Sequence, residues 1–396
     1  MQNQFFIAPV YVLLFSFIFF QNVKALDYKA YGFIQPEITS FLNGDGRHNQ
    51  SNKNFSAFAK GTFVTYLNNN NAKITVNSIG RIDDNDNNRT YIDFQKLKYE
   101  FFFNDYTFRI GNELIFWGVN ESFNIVDIIN QSNLAEEISG TKKLGQPMIS
   151  LSYFNNYGNL DFYLMPYFIE RVFPGTKGRP RLAFEVEKNN VVFESSSKKN
   201  KVDVAIRYST VVDDFDIGIS HFHGNNRSPN LTFNNKSFKL DQFYPILSQT
   251  SLDLQSTKGA WLYKLEALLA DNGGEKHFSI AGGTEYTIYG VKETSSDLGI
   301  IIEYTFDDRN DFAFNDEGVI ALRWTRNDIN STSILAGVLS DLGGNSNRFF
   351  AEFEQRLNDD VKLFIDTSIS GNIDQNDFTY AFKEDSQITI KIAKYF

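Results

Sequence analysis

At 396 residues the chain has the length of two or three soluble domains, yet no Pro/Gly/Ser linker, charge block or helical segment divides it, so one structural unit is expected. Its 38 basic against 48 acidic side chains give a net charge of −10 and leave no basic excess for phosphates, which argues against nucleic acid as a partner. Cysteine is absent, excluding disulfides and thiolate metal sites, and 40 Phe with 19 Tyr is more aromatic surface than a soluble core uses.

In the N-terminal segment, Phe5 to Phe20 is a mostly apolar run followed by Val23-Lys24-Ala25, which places a small-residue cleavage site after Ala25. The run is shorter than the ~20 residues a spanning helix needs. Met1 to Gln4 carries no Lys or Arg, which keeps a retained membrane helix as the alternative. The expected organisation is a signal peptide at 1–25, for export through the inner membrane, and one barrel at 26–396.

From Asp27 onward the pattern has period two, the side-chain period of a strand. In Asp105–Asn130, Phe108, Ile110, Leu114 and Phe116 share one face and Thr107, Arg109, Gly111 and Glu113 the other. Alternation stops at Trp117-Gly118 and returns at Ile149. Later runs repeat the strand half of this stretch: Val202 to Tyr208, Phe215 to Ile219, Trp261 to Ala267, Leu298 to Tyr304, Ile320 to Trp324, Phe349 to Phe353 and Val361 to Ile365. Each run is ~10 residues, enough for a tilted strand to cross a bilayer. One face is aliphatic and aromatic, suited to lipid. The other mixes Lys, Arg, Glu and Asp with Gly and Ser, suited to a water-filled lumen.

Short connections at 68–71, 104–105, 155–159, 213–214, 257–259, 327–330 and 358–360, with 290–296 fitting the short set less well, alternate with longer ones at 43–54, 83–88, 118–145, 170–199, 224–244, 271–276, 307–316, 341–345 and 371–385. The rhythm predicts an all-β transmembrane antiparallel barrel of about 18 strands, within a range of about 16 to 20, with short periplasmic turns and long external loops. Phe233–Leu240 and Phe378–Phe382 are candidates for extra strands or hairpins within loops. The last run ends Tyr395-Phe396, a terminal aromatic pair expected to serve as the membrane-insertion signal read by barrel-assembly machinery.

Candidate chemistry is sparse. His221 and His223 share a strand face and could ligate a metal, but no third ligand stands near in sequence. Ser220 and His221 are neighbours, so they point to opposite faces and cannot form a nucleophile–base pair. Gly44-Asp45-Gly46 and Asp83 to Asn87 are oxygen-rich, which suits Ca²⁺ or simply a solvated turn. The expectation is no catalytic residue, no metal and no cofactor. Charges on the wall are the informative feature. Arg109, Glu113, Arg207, Lys264 and Arg323 lie in the lumen phase, and opposed basic and acidic walls would set up a transverse field. Plain solvation of an aqueous interior is the competing account.

Arg109-Ile-Gly111, Trp117-Gly118 and Phe123 to Asn130 together resemble a poorly characterised family of proteobacterial porin-like outer-membrane barrels, similar in style to porins and alginate-export-type channels. The family's Asn-Pro is Asn130-Gln131 here. The resemblance implies an apolar turn containing Asp127, then a short acidic helix, with Asn133 as its cap and Glu136 three residues on. It extends to Met148–Tyr153 and Leu160–Phe168, roughly a fifth of the chain, and implies little about the solute.

These readings converge on a Gram-negative outer-membrane channel for small polar or charged solutes. Loop 118–145 is expected to fold inward because Phe123, Ile125 and Ile128 need burial. Arg109, Glu113 and Asp127 are the first expected constriction residues, with Glu121, Glu136 and Glu137 beside them and Arg207, Lys264 and Arg323 facing from the wall. Expected partners are outer-membrane lipid, lipopolysaccharide and small solutes, with oligomerisation left open. The alternatives are a transporter of hydrophobic or oligosaccharide substrates, and a structural or adhesive barrel with a blocked lumen.

Overall fold

The computed structural model describes residues 28–46, 49–67, 70–309, 316–375 and 377–396, so the expected signal peptide lies outside the described residues. In chain order the strands are β1 (Tyr28–Phe41), β2 (Lys53–Leu67), β3 (Ala72–Asp83), β4 (Tyr91–Phe103), β5 (Tyr106–Glu113), β6 (Gln146–Asn155), β7 (Gly158–Met165), β8 (Val192–Phe193), β9 (Asp203–Val212), β10 (Phe215–Asn225), β11 (Asn230–Asn234), β12 (Lys239–Tyr244), β13 (Ile246–Lys258), β14 (Trp261–Asn272), β15 (Glu275–Ile288), β16 (Asp297–Asp307), β17 (Asp316–Thr325), β18 (Ser333–Asp341), β19 (Asn347–Asn358), β20 (Val361–Ser370) and β21 (Gln387–Tyr395). Among the described residues, β8, β11 and β12 form a separate three-stranded sheet and the rest form one 18-stranded antiparallel sheet.

The large sheet closes on itself. β1 pairs with β2 on one side and with β21 on the other, placing Glu37 opposite Lys391 and Ile38 opposite Ile390. Phe396 completes the seam: it exchanges backbone hydrogen bonds with Gly32 at 3.0 Å in each direction, while the Tyr395 ring lies 5.2 Å from that of Phe33. Among the described residues, closure leaves this large sheet without an edge strand, the condition a sheet must meet in hydrocarbon. Among the described residues no helix is long and apolar enough to cross a membrane. The chain is thus a transmembrane antiparallel β-barrel, with the expected strand number.

Side chains divide as the alternation requires. On β16, Ile302 and Tyr304 are exposed on the outer surface, whereas Ile301, Glu303 and Thr305 are buried toward the lumen. A register shift between Asn77 and Ser78 interrupts the β3–β4 pairing and brings Tyr91 and Asp93 into the same phase as Arg81 and Ile79. Two connections differ from expectation, 271–276 and 378–382, whereas 233–240 takes one of its two expected forms, a hairpin within a loop. Residues 271–276 form a tight turn, because Gly273 and Gly274 adopt φ of 65° and 93° and let β14 and β15 pair up to Asn272 and Glu275. The 233–240 segment is the β11–β12 hairpin. Phe378–Phe382 is a 3₁₀ turn capped by Asp377, whose side chain accepts from the Thr379 amide.

Segment 166–202 reaches across the loop-side mouth. Arg179 donates to Asp385 and to the Gly44 carbonyl, each at 2.7 Å, and its guanidinium stands 4.1 Å from the centre of the Phe41 ring. The amide of Gly175 bonds the Asp86 carboxylate. The segment leaves the barrel at β7 and is tied to the connections flanking β1 to β4 and β20 to β21, so it roofs part of the opening.

Candidate functional site

After Glu113 the chain leaves the wall and enters the lumen. Two glycines of the motif permit this. Gly111 has φ +132°, and a Cβ there would lie 2.1 Å from the Leu97 carbonyl oxygen. Gly118 has φ +138°, and a Cβ would lie 2.4 Å from the Asn124 amide oxygen and 3.0 Å from Glu266 Oε1. Past this point Trp117, Val126 and Ile129 pack against Met148, Met165, Phe222, Leu247 and Leu268, lumen-phase residues of β6 to β14. Full burial of such side chains contributes roughly 1.5–3 kcal/mol each. Tyr163 meets the Trp117 ring edge-on at 5.9 Å, and the Arg207 guanidinium lies 5.4 Å from the same ring.

Two wall carboxylates hold the loop backbone. Glu266 on β14 accepts from the amides of Val119 (2.7 Å), Asn120 (3.1 Å) and Val126 (3.3 Å). Glu303 on β16 accepts from the amides of Glu121 and Ser122, both at 2.7 Å. Lys264 pairs with Glu303 at 3.4 Å. The Glu121 carboxylate bonds Arg323 on β17 at 2.7 Å, and Arg323 also meets Glu285 on β15 at 3.1 Å. Beneath this tip Phe123 is buried against Ala281, Ile301, Val319 and Ala321. The other end of the loop is fixed to the far wall, where Glu136 receives Arg81 of β3 at 2.6 Å and Tyr91 at 3.2 Å. The loop therefore spans the lumen from β3 to β17.

Asn130 closes the loop at its base. Its side chain accepts from the Ile115 amide and donates to the carbonyls of Glu113 and Leu144, joining both stems. Asn130→Ala strands these groups at a cost of about 1–3 kcal/mol for each one left buried without a partner. Limited proteolysis of the folded barrel is expected to cut within 114–145 faster in the variant; equal cleavage rates would contradict the role. Asp127 and Lys143 form a further pair across the stems at 3.5 Å. Burial pushes the Asp127 carboxyl up and the Lys143 ammonium down, each partly offset by the other's charge.

The expected site residues thus fall into groups. Glu121, Asp127, Glu136, Lys264, Arg207 and Arg323 belong to the loop or to the wall that holds it. Arg109 faces the lumen lower on β5, bonded to Glu100 at 3.2 Å and Ser152 at 2.6 Å. Glu113 pairs with Lys98 on the same wall. Glu137 is half-exposed beside Lys142, at 3.7 Å. Burial differs in phase from expectation: Phe123 is enclosed, but Val126 and Ile129 are the fully buried side chains, with Ile125 and Ile128 only partly covered. The segment is neither strand nor helix, so no period fixes its faces; the Val126 amide bond to Glu266 does.

The acidic helix is absent. The Asn133 side chain does accept from the Glu136 amide at 3.2 Å, but the chain continues as turns, because Glu136 is drawn to Arg81 rather than back to the cap and Gly140 adopts φ +80°. Sequence reasoning missed Glu266 and Glu303 as anchors, Arg81 with Glu37, and Arg227, which is buried and donates to Asp203 and to the Ile129 carbonyl. His221 is on the outer surface beside Thr250, at 2.9 Å, and Ser220 is buried on the lumen side, so the two are on opposite faces as strand geometry requires.

No protein-family model and no curated protein matches the chain. Among solved structures it is similar to variants of a porin from Rh. blastica, at 9–10% identity over 93% of this chain and 100% of that one, with a TM-score of 0.46. It is likewise similar to OmpT, an outer membrane protein of Vibrio cholerae in a trimer form, at 9% identity over 94% of this chain and 100% of that one, with a TM-score of 0.48.

Proposed function

We propose that the protein is an outer-membrane channel through which small polar or charged solutes diffuse, narrowed by loop 114–145. The observation that carries this reading is a loop tied to both walls inside a lumen that keeps charged space beside it. A cavity of about 650 Å³ adjoins the loop tip, between Glu121, Arg323 and the lumen faces of β17 to β20. A barrel sealed by its own side chains would leave no such space. Lys60, Lys73, Lys96, Lys98 and Arg109 line β2 to β5, and Glu285, Glu303, Glu352, Glu354 and Asp366 line β15 to β20. In the closed ring β15 stands half-way round from β3, which favours a transverse field over uniform solvation.

The outward aromatic and aliphatic band serves the membrane, with lipid and lipopolysaccharide as neighbours, and Tyr395-Phe396 serves insertion. The channel needs no cofactor and performs no catalysis. Tyr28–Phe41 is a wall strand, which disfavours the plug that a hydrophobic-solute transporter would use. Liposome swelling is expected to show permeation by small sugars and amino acids, and Arg109→Glu is expected to shift the reversal potential in a KCl gradient toward cations. A folded barrel that admits no small solute would leave the blocked-lumen alternative standing.

A further inference from the structure

The acidic face of the lumen carries more than a general preference for cations. Two pairs of like charges stand directly opposite each other across neighbouring strands. Glu317 on β17 faces Asp341 on β18 near the loop-side end, and Glu352 on β19 faces Asp366 on β20 beside the cavity. Directly opposed like charges destabilise a strand pair, and the protein compensates only part of this. Asp366 has Lys391, and Asp341 accepts from the amides of Gly343 and Gly344. Glu352 has no hydrogen-bond or ion-pair partner among the described residues.

Glu317 is the more telling group. It is 4% exposed, and its Oε2 is buried with no hydrogen-bond partner among the described residues. Its charged neighbours include Asp341 and Asp377 on the same side of the balance and Arg348 on the other. A buried, unpartnered carboxylate oxygen on a residue opposite a second carboxylate, with neither paired to a cation among the described residues, calls for a donor from outside.

What donor fits follows from the geometry. Among the described residues no group of three or more carboxylate or imidazole side chains is arranged to hold a metal ion. Each tier offers two carboxylates, enough to accept the N–H donors of an ammonium group. From Asp341 down to Leu335, which stands opposite Glu352, is six residues of β18, about 20 Å at the strand rise. The lumen-phase side chains between and beside the tiers include the apolar Leu339, Leu335, Phe350 and Phe364, with Arg348 opposite Leu339 and Ser368 opposite Phe350. Acceptors with apolar side chains beside them suit a cation with a hydrocarbon body better than a bare ion, and Arg348 leaves the acceptors of each tier as the places where such a cation rests.

We propose that the β17–β20 face is a conduction path for organic ammonium solutes, protonated alkylamines and diamines, which bind first at Glu317–Asp341 and then at Glu352–Asp366. The proposal rests on the channel reading and names the solute class of that same lumen.

The test is the K⁺ current of the full protein in planar bilayers, titrated with 1,5-diaminopentane and, separately, with uncharged 1,5-pentanediol. The diamine is expected to reduce the current saturably at concentrations where the diol has no effect. Glu352→Gln and Glu317→Gln are each expected to raise the half-blocking concentration roughly tenfold, as loss of one partner of a desolvated charge pair does. Glu352→Asp keeps the carboxylate and is expected to keep the block, as is Glu293→Gln on an exposed turn. Folding of each variant is checked by heat-dependent gel migration. Equal block in the parent and both Gln variants, or no block with K⁺ current present, overturns the proposal and leaves the channel standing. A folded parent barrel with no K⁺ current overturns the channel reading and the proposal with it.

Discussion

Glu266→Ala is expected to release the loop and raise the single-channel conductance, with added current noise. The carboxylate is fully buried and accepts from three loop amides, those of Val119, Asn120 and Val126. Each donor stranded without an acceptor costs about 1–3 kcal/mol, so the seated loop loses several kcal/mol relative to one that swings into water. The wall is spared, because the backbone ladders of β13, β14 and β15 do not involve the Glu266 side chain. Glu266→Gln retains one acceptor oxygen and is expected to fall between parent and alanine variant. Conductance and noise equal to the parent's in Glu266→Ala would mean that apolar packing alone holds the loop.

The second large effect is on stability. Arg81 lies between Glu37 and Glu136, with all three side chains less than a tenth exposed and contacts of 2.6 Å to each carboxylate. Removing one partner of a buried ion group leaves uncompensated charge and costs about 3–5 kcal/mol, whereas replacing the whole group with apolar side chains of similar size is often neutral. Arg81→Met is therefore expected to lower the urea midpoint of the folded barrel markedly. Adding Glu37→Leu and Glu136→Leu is expected to restore most of it. An unchanged midpoint in Arg81→Met would show that water reaches the group. Because Glu136 belongs to the loop, Arg81→Met is also expected to loosen the end of the loop opposite Glu266.

The wall was legible in the sequence because it separates two solvents. Ile300, Ile302 and Tyr304 against Gly299, Ile301 and Glu303 allow one orientation only, and the same holds around the ring. The departures arise where that contrast ends. At 271–276 the polar residues signal a loop, but the paired positive φ of Gly273 and Gly274 makes a tight turn with strand on both sides. Trp117-Gly118 and the apolar residues after it marked the inward loop, because an external loop has no use for them. The fixings of that loop were not legible. In alternation Glu266 and Glu303 look like any lumen charge, and only the approach of the 119–126 backbone distinguishes them. Arg81 and Glu136 lie 55 residues apart, with nothing local to pair them. The roof formed by 166–202 is equally a product of long-range contacts, such as Arg179 with Asp385.

In the proposed channel the loop tip stands in the conduction path beside β17. Because the chain has no cysteine, Glu121→Cys supplies a single thiol at that tip. Addition of a bulky, membrane-impermeant methanethiosulfonate to the reconstituted channel is predicted to cut the current in discrete steps that persist after washout and are reversed by reductant. Complete labelling of the cysteine with no change in conductance would place the tip outside the path and contradict the account.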